Sequence, residues 1–336
     1  MTLRLDRDQI LAFRRRSGAL DDRLSWGGDA LRHVAWAGLQ DSVPRAALLS
    51  IHARIADTPR DALDHPSLSQ VWGPRFNVFV VTEQDAAVFT LGRMPDGGPR
   101  AERAEEAATR LEELLGDQAM RYGDAGQALG VHPNSLRYAT LTGRIRLRWD
   151  GARQPTIWIV SAPDIDARDA RLELARRYLH VFGPGTADGF GNWAGVRPTV
   201  AQEVLAALSD ETVPVVTPLG EGRLLASDEE SARHASGTPS DARLLPSGDA
   251  FFLLWGEHRS MLVPDGHRRD LLWTSRVWPG ALLLGGEVAG IWRRSKATIT
   301  IEPWRRVSTA ERESIEVEAM SMPLPESDGE VTIQWA

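Results

Sequence analysis

Arginine carries almost all the positive charge of this chain, and it comes in three groups. Arg14, Arg15 and Arg16 end one helical stretch. Arg144, Arg146, Arg148 and Arg153 surround a candidate hairpin. Arg293 and Arg294, with Lys296, Arg305 and Arg306, lie near the C-terminal strands. A guanidinium pairs bidentately with phosphate oxygens, and such contacts give affinity without reading base sequence. One arginine on a strand is ordinarily a solvated charge; three groups together point to double-stranded DNA. The formal net charge of −7 argues the other way only until its distribution is read. Residues 258–306 carry nine bases against four acids, and residues 307–336 carry seven acids against Arg312. Binding follows local charge rather than the total.

Other chemistries are narrowed by what is missing. Without cysteine there is no thiolate nucleophile, disulfide or cysteine zinc site. Lys296 is the single lysine, so Schiff-base chemistry has only its amine and the N-terminus to draw on. The eight histidines (33, 52, 65, 132, 180, 234, 258 and 267) show no ligand spacing on one helix face, so no metal is expected. No dinucleotide or Walker loop is present, so no cofactor is expected either. No apolar run is long enough for a membrane span, and MTLRLDRDQI lacks the apolar core of a signal peptide. A cytoplasmic protein without membrane contact is expected. With no obvious dimerisation helix, a monomer is expected. Most of the twelve tryptophans, Trp158, Trp193 and Trp292 among them, sit in apolar patterns, whereas Trp26 in SWGG is the least bound by pattern. Asp41-Ser42 stands directly before Val43-Pro44, the order of a helix N-cap.

At 336 residues the chain has room for two or three units. Helices are expected over 7–16, 29–39 and 44–56, then a strand at NVFVV (77–81). AERAEEAATRLEELLGD (101–117) has the pattern of an amphipathic helix, and 124–131 and 132–143 read as two shorter ones. RIRLRW (144–149) and TIWIV (156–160) then form a hairpin with Arg144, Arg146 and Arg148 on one face and Ile145, Leu147 and Trp149 on the core side. The same order recurs in helices at 168–183, 186–196 and 197–210 and a strand pair over 213–226. Residues 228–241 read as a linker. Beyond them FFLLW, SMLVP, ALLLGG, EVAGIWRR and TITIEPW suggest short strands of a small β-barrel, with an acidic helix at 307–320 before the last strand. The expected fold class is α+β. Three tandem units (1–98, 99–165 and 166–227), the second in the helix, helix, turn, helix, hairpin order of a winged helix and all three winged-helix units on the resemblance described next, precede a C-terminal β-barrel (228–336).

Four stretches carry a resemblance: GLQDSVPRAALLSIHARI (38–55), YLHVFGPGTADGFGNWAGV (178–196), RLLPSGDAFFLLWGEHRSMLV (243–263) and GEVAGIWRR (286–294). With them the chain resembles, over nearly its whole length, the bacterial winged-helix superfamily of DNA glycosylases, the AlkZ-like and YcaQ-like proteins. The resemblance implies winged-helix units in a C-shaped scaffold with duplex in the channel, and excision of N-alkylated purines. It also implies a Gln-apolar-Gln motif at 40–42. Gln40 keeps the first glutamine; Asp41 and Ser42 replace the other two positions. The stretch before the first wing, GPRFNVFVV (73–81), also departs from the family pattern.

N-glycosidic cleavage builds positive charge on the sugar, so a carboxylate that stabilises it and polar groups that aim a water are what the chemistry needs. On that reading Gln40, Asp41 and Ser42 are the catalytic candidates. The expected activity is monofunctional hydrolysis of alkylated or bulky purine adducts. The alternative is a non-catalytic DNA-binding protein, a damage sensor or transcriptional regulator, on the same scaffold.

Overall fold

The computed structural model describes residues 2–41, 45–151, 153–324 and 331–336. The chain opens with β1 (Leu3–Arg4) and α1 (Arg7–Ser17). A capping box starts α1: Asp6 accepts the Gln9 N–H while the Gln9 side chain accepts the Asp6 N–H. Ile10, Leu11 and Phe13 bury its apolar face, each stabilising by about 1.5–3 kcal/mol. There follow α2 (Gly28–Val34), β2 (Leu39–Gln40), α3 (Ala46–His52), the hairpin β3 (Leu68–Trp72) and β4 (Val78–Thr82), and α4 (Ala86–Thr90). The helix expected over 29–39 is shorter, because the chain turns at Gly38 (φ +72°) and then pairs with β4.

The middle of the chain runs α5 (Pro99–Leu115), β5 (Met120–Arg121), α6 (Tyr122–Ala128), α7 (Pro133–Leu136), β6 (Ile145–Arg148) and β7 (Thr156–Ile159). Ile145 and Leu147 are buried against Leu111, Leu115 and Ile157, the side the alternation predicts. Six strands form one sheet in the order β2-β4-β3-β6-β7-β5, so strands from before and after residue 98 share a ladder. Next come α8 (Ala167–Phe182), α9 (Ala187–Ala194), α10 (Pro198–Ala207) and the hairpin β8 (Thr212–Thr217) and β9 (Gly220–Leu225). The N-terminal β1 adds parallel to β8, with Leu3 opposite Val215.

The C-terminal part holds α11 (Glu229–Arg233), β10 (Arg243–Leu245), α12 (His258–Leu262), α13 (Gly266–Leu272) and β11 (Gly280–Leu284). It closes with β12 (Glu287–Ser295), β13 (Thr298–Pro303), α14 (Thr309–Ser321) and β14 (Thr332–Trp335). The barrel expectation is corrected here. Among the described residues the five strands pair as β10-β11-β12-β13-β14 without closing, leaving β10 and β14 as edges. Two physical reasons account for this. FFLLW and SMLVP, expected as strands, fold in part as a 3-10 turn and as α12, with Phe251, Phe252, Met261 and Leu262 buried in the main core, so they add no strands to the sheet. And α14 lays Ile315 and Ala319 on Leu244, Leu282, Ile299 and Ile301, so the sheet finds a core without closure. The part of the linker at 229–233 is α11, with Ala232 buried.

Candidate functional site

Three stretches distant in sequence meet at residues 39–41. Gln40 pairs with Phe79, and the Asp41 N–H donates to the Val78 carbonyl at 2.8 Å. Side-chain alternation puts Leu39 and Asp41 on one side of this edge strand and Gln40 on the other. Leu39 packs with Ala47, Leu48 and Ile51 of α3. Asp41, fully buried, sits at the start of the same helix and accepts the Ala47 N–H at 3.0 Å. The Gln70 amide approaches its other oxygen at 3.5 Å, and Gln70 itself bridges to the backbone of Trp149. The carboxylate thus serves the first turn of α3, although the helix starts at Ala46 with Arg45 in the N-cap position, and the start expected at Val43-Pro44 lies outside the described residues. Ser42 lies outside the described residues.

Burial pushes Asp41 up to about 6, against the opposing pull of the Ala47 N–H and the charge of Arg45. The folded state therefore holds its proton more tightly than the unfolded chain. The stabilisation from the protonated form is complete below about pH 4 and is lost as pH rises through about 6. A shift of about two units corresponds to roughly 3 kcal/mol. Asp41→Asn is expected to flatten the pH dependence of unfolding between pH 4 and 6; an unchanged slope in urea melts across that range would assign the titration elsewhere.

Gln40 is half-buried, with its amide against Gly248. Gly248 has φ +77°, and a Cβ there would lie 2.8 Å from the Gln40 amide nitrogen, so the loop needs glycine twice over. Its neighbours Pro246 and Ser247 line a cleft of about 280 Å3, with Ala46, Trp278, Arg293 and Arg294 on its other walls. Asp249 pins this loop. Its carboxylate takes Arg54 bidentately at 2.6 and 2.7 Å, the Ser50 hydroxyl at 2.7 Å and the Phe251 N–H at 2.9 Å. The LLP-x-x-D pattern therefore fixes the wall of the cleft to α3. Gln70, Ser247 and Trp278 belong to this neighbourhood and were not singled out from sequence. Gln70 left one faint signal, a polar residue in the otherwise apolar strand end QVW.

The arginine groups fare differently. Arg14 is buried, donating to the Phe182 and Gly183 carbonyls at 2.7 and 3.0 Å, and Arg15 is buried on Asp21 and the carbonyls of Gly237 and Gly286. These two are structural, a correction to their reading as DNA contacts; Arg16 is exposed but donates to the Ser236 carbonyl. On the hairpin, Arg144 pairs with Glu105 and Glu112, Arg146 with Glu83 and Arg148 with Asp64. Arg146 is also buried, so it too is withdrawn from a phosphate surface. Arg153 is exposed beyond β6, and Arg293 and Arg294 lie at the cleft. The FGP-x-T pattern is architectural. Thr186 caps α9 through the Gly189 N–H at 3.0 Å, and Tyr178 and Phe182 stack beside Phe190 and Trp193. Trp26 is exposed at 37%, meeting His65 edge-on. Among the described residues no group of three or more His, Asp or Glu is placed to hold a metal ion, and no helix is long and apolar enough to cross a membrane.

Fold and site together define an α+β chain in which helices and hairpins carry a polar turn to an arginine-edged cleft. A family model described as DNA glycosylase AlkZ-like matches residues 31–322. The chain belongs to the AlkZ-like DNA glycosylase family. Streptomyces sahachiroi DNA glycosylase AlkZ has a similar structure, with a TM-score of 0.81 over 99% of this chain and 100% of that one at 16% identity. At that identity the likeness is one of fold. No curated protein matches the sequence.

Proposed function

We propose that this chain is a monofunctional DNA glycosylase that hydrolyses the N-glycosidic bond of alkylated or bulky purines, with the damaged nucleotide turned out of the duplex into the cleft beside α3. The carrying observation is that Gln40 rests on Gly248, next to the Pro246 and Ser247 that line the cleft, while the buried Asp41 carboxylate, on the other side of the strand, holds the N–H of Ala47, next to the cleft residue Ala46. Gln40 would orient the attacking water. Asp41 would act through space on the oxocarbenium-like sugar, since a preorganised charge in a dry site acts strongly. Trp278 offers a face for the extruded base, and Arg293 and Arg294 offer charge to the flanking phosphates. The helix and hairpin orders are read as winged-helix units that present the duplex to this face. Lys296 lies in the exposed turn between β12 and β13, and hydrolysis does not call on it.

The test is base release from a duplex carrying N7-methylguanine, with abasic sites revealed by mild alkali. Release without a borohydride-trapped covalent complex is expected; a trapped complex would reassign the enzyme as a lyase. The replacement of both later positions of the Gln-apolar-Gln motif, with Asp41 spent on a helix start, favours one second reading, the non-catalytic DNA-binding protein. Salt-sensitive duplex binding with no release from methylated or bulkier adducts would select it.

A further inference from the structure

A second cavity, of about 220 Å3, shares no lining residue with the cleft. It is bounded by the first turn of α5 and by Arg93, Arg100, Arg171 and Arg197. Arg93 is only 2% exposed. Its Nε donates to the Ala194 carbonyl at 3.0 Å and its Nη1 to the Trp72 carbonyl at 3.1 Å, which leaves Nη2 buried with no partner. No ion pair to Arg93 is found among the described residues. The Arg100 Nε is likewise buried without a partner, and both guanidinia lie over Phe76, at 4.6 and 5.8 Å from the ring centre. Arg171 differs, since it holds the Asp96 carboxylate at 3.0 Å. At the same place α5 starts with Pro99 after Gly98 and has no side-chain cap.

Two buried guanidinium N–H groups, Arg93 Nη2 and Arg100 Nε, thus lack an acceptor beside one cavity. A buried cation without a counter-ion is unfavourable by several kcal/mol, and a ring face offsets only part of that. Burial, with Arg100 beside it, pushes Arg93 down to about 9, so it is still charged at neutral pH. The start of α5 adds less: the Gly98 carbonyl takes the Ala101 and Glu102 N–H groups and Glu102 lies in the first turn, so among the described residues the Arg100 N–H is what the first turn still offers an anion. We propose that this cavity binds a phosphoryl oxyanion, held by Arg93 Nη2, Arg100 and the first turn of α5. A phosphoryl group has the several acceptor oxygens such convergent donors need. Because Arg93 also ties the end of β3 to the end of α9, occupancy would brace the packing of the first unit against the third. The inference stands apart from the proposed glycosylase chemistry, since it uses none of its residues.

The measurement is thermal unfolding of the full chain in inorganic phosphate, against sodium chloride of equal ionic strength. A saturable rise of about 2 °C is expected at tenfold saturation in the wild type. It is expected to vanish in Arg93→Met and to fall in Arg100→Gln; if Arg93→Met does not fold, Arg100→Gln and the exposed Arg197→Gln carry the comparison. A wild-type rise no larger than that in chloride, or the same rise in all variants, would overturn the proposal. The source of the phosphoryl group is read from duplex binding. If it is the DNA backbone, phosphate competes with duplex and Arg100→Gln lowers the salt slope by about one. If duplex binding ignores both while the stabilisation stands, the ligand is a free phosphate.

Discussion

Asp41→Asn is expected to lower base release from a methylated duplex by about a hundredfold while leaving the protein at least as stable at pH 8. The two halves of this result have one cause. Asp41 is buried and held up to about 6, so its charge is a burden on the folded state at working pH. At about 5 Å, the separation the proposed role requires, and an effective dielectric near 20, a full charge is worth about 3 kcal/mol to a developing cation, or roughly two powers of ten in rate. Asparagine keeps an acceptor for the Ala47 N–H and removes the charge. Gln40→Ala is expected to slow release by about tenfold to a hundredfold with little change in melting, because the half-buried amide rests on Gly248 without a hydrogen bond to it. Single-turnover rates of both variants, beside urea melts, decide the matter. An Asp41→Asn protein that is stabilised and fully active would reduce the carboxylate to a helix cap.

The second large effect concerns folding. Asp249→Ala is expected to destabilise the protein by about 3–5 kcal/mol, because it strands the Arg54 guanidinium, itself 2% exposed, and unpairs the Ser50 hydroxyl. A double replacement, Arg54→Met with Asp249→Leu, is expected to lose much less, since it removes both charges and keeps the volume. Denaturant melts of the two proteins provide the check. A double variant as unstable as the single one would place the energy in the loop's turn geometry instead of in the ion pair.

Much of the fold was legible where signals are local. The alanine-leucine-glutamate period of α5 marked a helix, and the alternation in β6 put Ile145 and Leu147 in the core and the arginines opposite. The helix start expected at Val43-Pro44 lies outside the described residues, and Asp41 reaches α3 from five residues before its first residue, at the Ala47 N–H, a contact its place before Val-Pro did not spell out. Signals that depend on remote partners were not legible. Nothing near Arg14 says that carbonyls at 182 and 183 will take its guanidinium, nor near Arg146 that Glu83 will face it. The run FFLLW is apolar throughout, and a short run buried on all sides has no period to tell strand from helix or turn. Closure of the last sheet depended on whether β14 would return to β10, a question local sequence does not answer. In the site, GLQDSV exposed its polar turn plainly. The cleft did not show, because its walls come from 46–49, 246–247 and 277–294.

The parallel pairing of Leu3 with Val215 has a consequence in time. During synthesis β1 has no partner until the hairpin at 212–225 follows it out of the ribosome. This strand therefore settles late, after the helices between have been made, and long-range closure of this kind slows folding. Mass attached just ahead of Leu3 meets that late step directly, whereas β14 pairs with β13, a strand made only a few tens of residues before it.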